Sequence, residues 1–351
     1  MRKKILPFFA IATMLVFSAC SNEDILQETN TETTIEAARK ISVTASLNEE
    51  PTTYLGLEET ADKNIVLTWE VGDALQLVFV QGTDKAASTV TLTAEDITND
   101  SKKASFDIAI PSEIDGTETF KLYGVFGGGG INLGDASNPN PYAILPTDAG
   151  KTNLLSDVEA RKHVMLHFES EITPQNPQVS VNFQHLGSLF SISFLNSGPT
   201  SISTLTQMRL LGVDVNGVPL EEPWAYNTDD GGGQKYDLVE GKFLVSNNPA
   251  EPSFGIYISF NAAGINFPVG VPVTLWGWYP IIPDKDWPAL RLQLFGGDPS
   301  NILGASINIK PAKTTPEAGK RFRFYAALDE SQIFFTNSTF TELSPAPLPT
   351  P

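Results

Sequence analysis

Ile41-Ser42-Val43-Thr44-Ala45-Ser46-Leu47 places an apolar side chain at every second position, with Ser and Thr between. A period of two marks a strand with one buried face, so this stretch reads as β. The same rhythm recurs on either side of it. In the first half, residues 65–69, 74–80, 89–92, 106–110 and 120–126 are short runs rich in β-formers. Turn residues part them: Gly72-Asp73, Gly82-Thr83, Asn99-Asp100, Asp115-Gly116 and the glycines at 127–130. After Pro174 and Pro177 the pattern restarts with Val179-Ser180-Val181-Asn182-Phe183 and residues 189–195. It continues through 208–213, 242–245, 255–260, 271–279, 290–295, 305–309, 321–327 and 333–335. No window holds a helical stripe beyond one or two turns. The predicted fold is all-β, two antiparallel β-sandwich domains in tandem over residues 40–174 and 175–351, joined near 172–178.

The composition narrows the function. The chain has 351 residues, with 41 Asp and Glu against 23 Lys and Arg, a formal charge of -18. So acidic a surface repels phosphate backbones, which argues against nucleic acid as a partner. One cysteine makes no internal disulfide, and three histidines leave little for a Cys/His zinc site.

The N-terminus reads as an export signal. Arg2, Lys3 and Lys4 precede an apolar run at 5–17, followed by Ser18, Ala19 and Cys20. The run is about 13 residues, short of the roughly 20 that a spanning helix needs. Phe17-Ser18-Ala19-Cys20 resembles a bacterial lipobox. Residues 1–19 are then a lipoprotein signal peptide, and Cys20 is the acylated residue that ties the chain to the outer membrane. Each buried methylene of an acyl chain adds about 0.8 kcal/mol to that attachment.

Residues 20–39 read as an acidic tether. From 21 to 38 the chain carries Glu23, Asp24, Glu28, Glu32 and Glu36 and no aromatic residue, too little to sustain a core. Arg39-Lys40 are the first basic residues after Lys4, and mark either a target for an arginine-specific or trypsin-like protease or simply the start of a domain. Thr29, Thr31, Thr33, Ile35 and Ala37 fall on alternate positions, so the tether is also a candidate removable edge strand.

Trp69-Glu70-Val71-Gly72-Asp73-Ala74-Leu75, the stretch 157–163, Val181-Asn182-Phe183-Gln184-His185-Leu186 leading into Phe190-Ser191-Ile192-Ser193-Phe194, and the late Gly319-Lys320-Arg321-Phe322-Arg323-Phe324 together resemble the fimbrillin family of pilus subunits. With the lipobox, the resemblance spans most of the chain. It implies two transthyretin-like sandwich domains, export as a lipoprotein, trimming by an arginine-directed protease, and assembly with other subunits into type V pili by strand exchange. A sandwich that gives up an edge strand exposes a groove and unpaired backbone groups that a neighbour's strand can fill. The natural donor is residues 331–343, where Ile333 and Phe335 alternate and Phe340 and Leu343 follow. Beyond Leu343 come four prolines in eight residues, which remove ladder donors and favour an extended form. A tip or accessory subunit, accepting a strand without donating one, fits that tail.

Motifs for catalysis dissolve on inspection. Gly150-Lys151-Thr152 lacks the glycine of a phosphate loop at Leu145. The glycine clusters at 127–130 and 231–233 suit loose connections. His163 and His167 share a strand face without a third ligand, and His185 reads as a packed residue. No enzymatic activity, metal or cofactor is expected. The rival reading is a surface glycan-binding lipoprotein that does not polymerise. Its candidate contacts are Trp224, Tyr226 and Trp287, aromatics in polar or proline-containing loops that could stack on a sugar of the host or another glycan. Trp276 and Trp278, on one strand face, are better explained by core packing.

Overall fold

The computed structural model describes residues 39–47, 58–59, 65–98, 101–145, 164–221, 224–225, 234–244, 255–259, 265–296, 302–306, 315–329 and 332–340. All of them fall in the compact unit Ala38–Pro351, which is separate from Met1–Ala37. They contain strands and turns and no helix.

In chain order the strands are β1 (Lys40–Leu47), β2 (Glu58–Glu59), β3 (Ile65–Val66), β4 (Ala74–Gln81), β5 (Asp84–Thr91), β6 (Ile97–Thr98), β7 (Lys103–Ala109) and β8 (Phe120–Phe126). Next are β9 (Gly130–Asn132), β10 (Tyr142–Ile144), β11 (Leu166–Ile172), β12 (Gln178–His185), β13 (Gly187–Asn196), β14 (Ile202–Val213), β15 (Lys235–Asp237) and β16 (Lys242–Leu244). The last are β17 (Gly255–Ser259), β18 (Ile265–Phe267), β19 (Pro272–Pro280), β20 (Ala289–Gly296), β21 (Ile302–Ser306), β22 (Arg321–Asp329) and β23 (Gln332–Phe340).

The first large sheet runs β5-β4-β8-β11-β12-β1-β7-β6, and its strands enclose one core. Ile41, Val43, Ala45 and Leu47, the alternating set of β1, all point into it. Trp69 sits at its centre, edge-on to Phe126 at 5.7 Å and to Phe183 at 5.3 Å, and Phe168 meets Phe183 edge-on at 5.0 Å. Such pairs add a little to the large area that aromatic rings bury.

The second large sheet runs β17-β14-β20-β21-β23-β22-β13-β19, with β18 beside β14. Phe190, Ile192 and Phe194 of β13, Leu290, Leu292 and Leu294 of β20, and Phe322 and Phe324 of β22 share a second core, so the sheet curls over on itself. A small sheet, β16-β15-β10-β9, joins strands from both halves of the sequence.

Two features depart from the sequence expectation. Pairing is mixed rather than antiparallel: β1 runs parallel to β12, β13 to β22 and β21 to β23. Parallel partners need long crossovers and lie far apart in sequence, so alternation alone does not reveal them. The prolines at 174 and 177 mark a turn within the first sheet, where Thr173 bridges Asn176 between β11 and β12. The change of sheet comes at Leu186, the single residue between the end of β12 at His185 and the start of β13 at Gly187.

Candidate functional site

Arg39 and Lys40 stand at the head of β1, both exposed. The strand they open is an inner one, flanked by β12 and β7. Its first residues are already paired: the Ile110 backbone N–H donates to the Arg39 carbonyl at 2.8 Å, and the Ser42 N–H to the Pro177 carbonyl at 2.9 Å. Ser42 also donates its hydroxyl to Asp107 at 2.6 Å.

The Arg39 side chain rests on the loop between β7 and β8. A Cβ on Gly116 would lie 3.0 Å from Ile110 Cδ1 and 3.2 Å from Arg39 Cδ, so the arginine stem packs closely against this glycine. Gln81 of β4 holds that loop with its amide, donating Nε2–H to the Asp115 carbonyl at 3.0 Å and accepting the Asp115 N–H at 2.7 Å. The Asp115 carboxylate accepts the Thr117 hydroxyl at 2.6 Å and the Thr117 N–H at 2.8 Å. Those bonds hold its pKa below the ordinary carboxylate value, with the Arg39 charge a smaller contribution.

Beside the Arg39–Lys40 bond opens a cleft of about 430 Å³, whose apolar walls include Ile41, Ile110, Phe120, Ile172 and Pro177. On the far side of β1, β6 pairs only with Lys103 and Ala104 of β7. From Asp107 to Ala109 the outer edge of β7 has no partner among the described residues. A bare edge of this kind can accept another strand.

The C-terminal candidates occupy an inner position. β23, which carries Ile333, Phe335 and Phe340, lies between β22 and β21. Ile333 is opposite Leu328, Phe335 opposite Ala326 and Phe340 opposite Phe322, with a register shift that leaves Thr336 of β23 as the extra residue opposite the step from Tyr325 to Ala326. Cys20, Tyr226 and Leu343 lie outside the described residues, as do the alternating positions 29–37 and His163.

The two loop tryptophans are not surface residues, which corrects the sequence expectation. Trp224 and Trp287 are fully buried, their ring centroids 4.5 Å apart, and Trp287 also meets Phe322 edge-on at 5.3 Å. The loops that carry them fold inward: Ala225 bridges Ile281, and the Ile282 N–H donates to the Trp224 carbonyl at 3.1 Å. Polar neighbours and prolines made these segments look exposed, yet their tryptophans plug one end of the second core. Neither offers a ring face to a sugar.

A second cavity was not legible in the sequence. It measures about 330 Å³ and lies where His167, Gln184 and His185 of the first sheet meet Tyr236 and Phe243 of the small sheet and residues 281–283. The Tyr236 hydroxyl and His167 Nε2 share a hydrogen bond of 3.1 Å. Burial pushes His185 down to about 4 and lowers His167, where the Phe168 backbone opposes it weakly; burial pushes Tyr236 up to about 12. Among the described residues, no three His, Cys, Asp or Glu side chains gather as metal ligands.

The sequence matches no family model and no curated protein. Among solved structures it is similar to a proposed cell adhesion protein from Bacteroides ovatus, at TM-score 0.45 and 11% identity over 88% of this chain and 99% of that one. A proposed adhesin from Bacteroides thetaiotaomicron gives TM-score 0.45 and 8% identity over 88% and 98%. Proposed polysaccharide binding proteins of the same species give 0.44 and 9% over 87% and 98%. Overlap of this degree defines neither a shared fold nor a shared function.

Proposed function

We propose that this chain is a structural, non-catalytic subunit of a bacterial surface pilus. It is exported as a lipoprotein held on the outer membrane through Cys20, released by cleavage after Arg39, and joined to other subunits by strand exchange between transthyretin-like domains. The observation that carries this role is the meeting of three features at one end of the first sheet: an exposed Arg39-Lys40 pair, an apolar cleft beside it, and a β7 edge that the described residues leave unpaired. Removing the tether at that point gives a new N-terminus at the head of an inner strand, next to the cleft. A strand from a neighbour would add main-chain hydrogen bonds along the bare edge and place alternate side chains toward the core.

The candidate donor, residues 331–343, overlaps β23, which its own sheet already holds. Donation therefore requires β23 to leave that sheet, which costs its ladder on both sides. A tip or accessory subunit, which accepts without donating, avoids that cost. Treating the purified lipidated chain with an arginine-specific protease tests the role. A product beginning at Lys40 that joins partner subunits into high-mass oligomers supports it, and a chain that stays intact opposes it.

A further inference from the structure

We propose that the cavity framed by His167, Gln184, Tyr236 and Phe243 is a binding site for a single uncharged sugar ring. This goes beyond the pilus role and does not depend on it. The volume, about 330 Å³, lies at the small end of ligand sites and suits one ring unit rather than an extended chain.

The walls combine ring faces with polar edges. Tyr236 and Phe243 are direct cross-strand partners on β15 and β16, with ring centroids 5.1 Å apart, and the His167 ring lies 5.2 Å from Tyr236. Ile281 and Pro283 complete the apolar side. Against these stand the Tyr236–His167 hydrogen bond and the Gln184 amide, which offers both donors and acceptors. His167 Nδ1 is closed off from solvent and makes no well-formed hydrogen bond. A pyranose has the matching character, since its C–H face stacks on aromatic rings while its hydroxyls exchange hydrogen bonds at the edge.

Charge decides against ionic ligands. Both histidines and Tyr236 are neutral near pH 7, and Lys242 at the rim is already paired with Glu240. A carboxylate or ammonium guest would be desolvated there without a counter-charge. A fully apolar guest would leave the polar edge unmatched.

The test is a titration of the isotope-labelled full chain, followed by amide and aromatic NMR shifts, with the methyl glycosides of glucose, galactose, mannose and fucose. Indole and hexanoate serve as the apolar and anionic controls. Saturable shifts at Tyr236 and Phe243 with at least one glycoside are expected, weakened about tenfold or more in Phe243→Ala and in Gln184→Ala. Gln184 is exposed, so its variant keeps the fold even if Phe243→Ala does not. The proposal is overturned if no glycoside gives saturable shifts, if indole or hexanoate binds there and the glycosides do not, or if Gln184→Ala binds as the wild type does. Failure here leaves protease trimming at Arg39 unaffected, so the two ideas stand or fall separately.

Discussion

Ile110 donates its backbone N–H to the Arg39 carbonyl at 2.8 Å, so the bond before Lys40 begins inside the ladder and not in a free tether. Proteases bind extended chain, and the head of β1 must come away from β7 before a cut. Gln81 steadies the loop on which the Arg39 side chain rests. Gln81→Ala removes both bonds to Asp115 and is expected to speed cleavage after Arg39 about fivefold or more, each hydrogen bond being worth about 1 kcal/mol. N-terminal sequencing of timed digests reads the rate, and an unchanged rate would show that the loop does not restrain the site.

Trp287 fills the end of the second core against Trp224, Phe190 and Phe322. Trp287→Ala is expected to cost about 3–5 kcal/mol, read as an earlier urea midpoint. A loss below 1 kcal/mol would mean that the ring is not packed as described.

Gly124 of β8 faces Phe168 across the first sheet, and a Cβ there would lie 2.0 Å from Phe168 Cε1. Gly124→Ala must displace Phe168 and disturb its contact with Phe183, at a cost of about 1–3 kcal/mol. Phe168→Leu relieves the clash, so the double variant should lose less than the sum of the two single losses. Strict additivity in thermal unfolding would contradict the contact.

His185 gives a pH dependence of definite sign. Burial lowers its pKa in the folded chain to about 4, from an ordinary 6.5, and lowers His167 as well. Below pH 6.5 the unfolded chain takes up a proton that the folded chain refuses, so stability falls as pH drops toward 4. The slope from His185 is at most about 1.4 kcal/mol per pH unit, and this contribution is flat above 6.5. Urea midpoints between pH 7.5 and 4.5 should show a shallower decline in His185→Gln than in the wild type. Equal slopes would exclude His185 as the cause.

β23 lies between β21 and β22, so a chain ending at Asp329 has a vacancy in its second sheet. Such a chain is expected to bind a synthetic peptide of residues 331–343 in trans, with full-length protein showing no uptake. Fluorescence anisotropy of the labelled peptide measures this. Equal binding by both chains would place the peptide elsewhere.

Much of the strand pattern was legible in the residues. The period of two picked out residues 74–80, 120–126, 189–195 and 321–327, which coincide closely with β4, β8, β13 and β22. β11 was missed, although Leu166, Phe168 and Ile172 keep the buried positions, because Ser170 interrupts the apolar set and is flanked by the exposed Glu169 and Glu171. Strand direction was not legible, since alternation says which face is buried and nothing about the neighbour. The tryptophan loops misled for a related reason: Trp224 and Trp287 read as exposed from their polar sequence neighbours, while their burial comes from Phe190 and Phe322, distant in the chain. The cavity at His167 and Tyr236 depends on a contact between β11 and β15 that no local pattern encodes.

Mass spectrometry of the lipidated chain with its partner subunits, before and after an arginine-specific protease, tests the assembly role most directly. The expected result is a trimmed subunit with Lys40 at its N-terminus, found in oligomers that Arg39→Ala fails to form. Trimmed protein that remains monomeric with every partner, or oligomers that form equally well from Arg39→Ala, would contradict it.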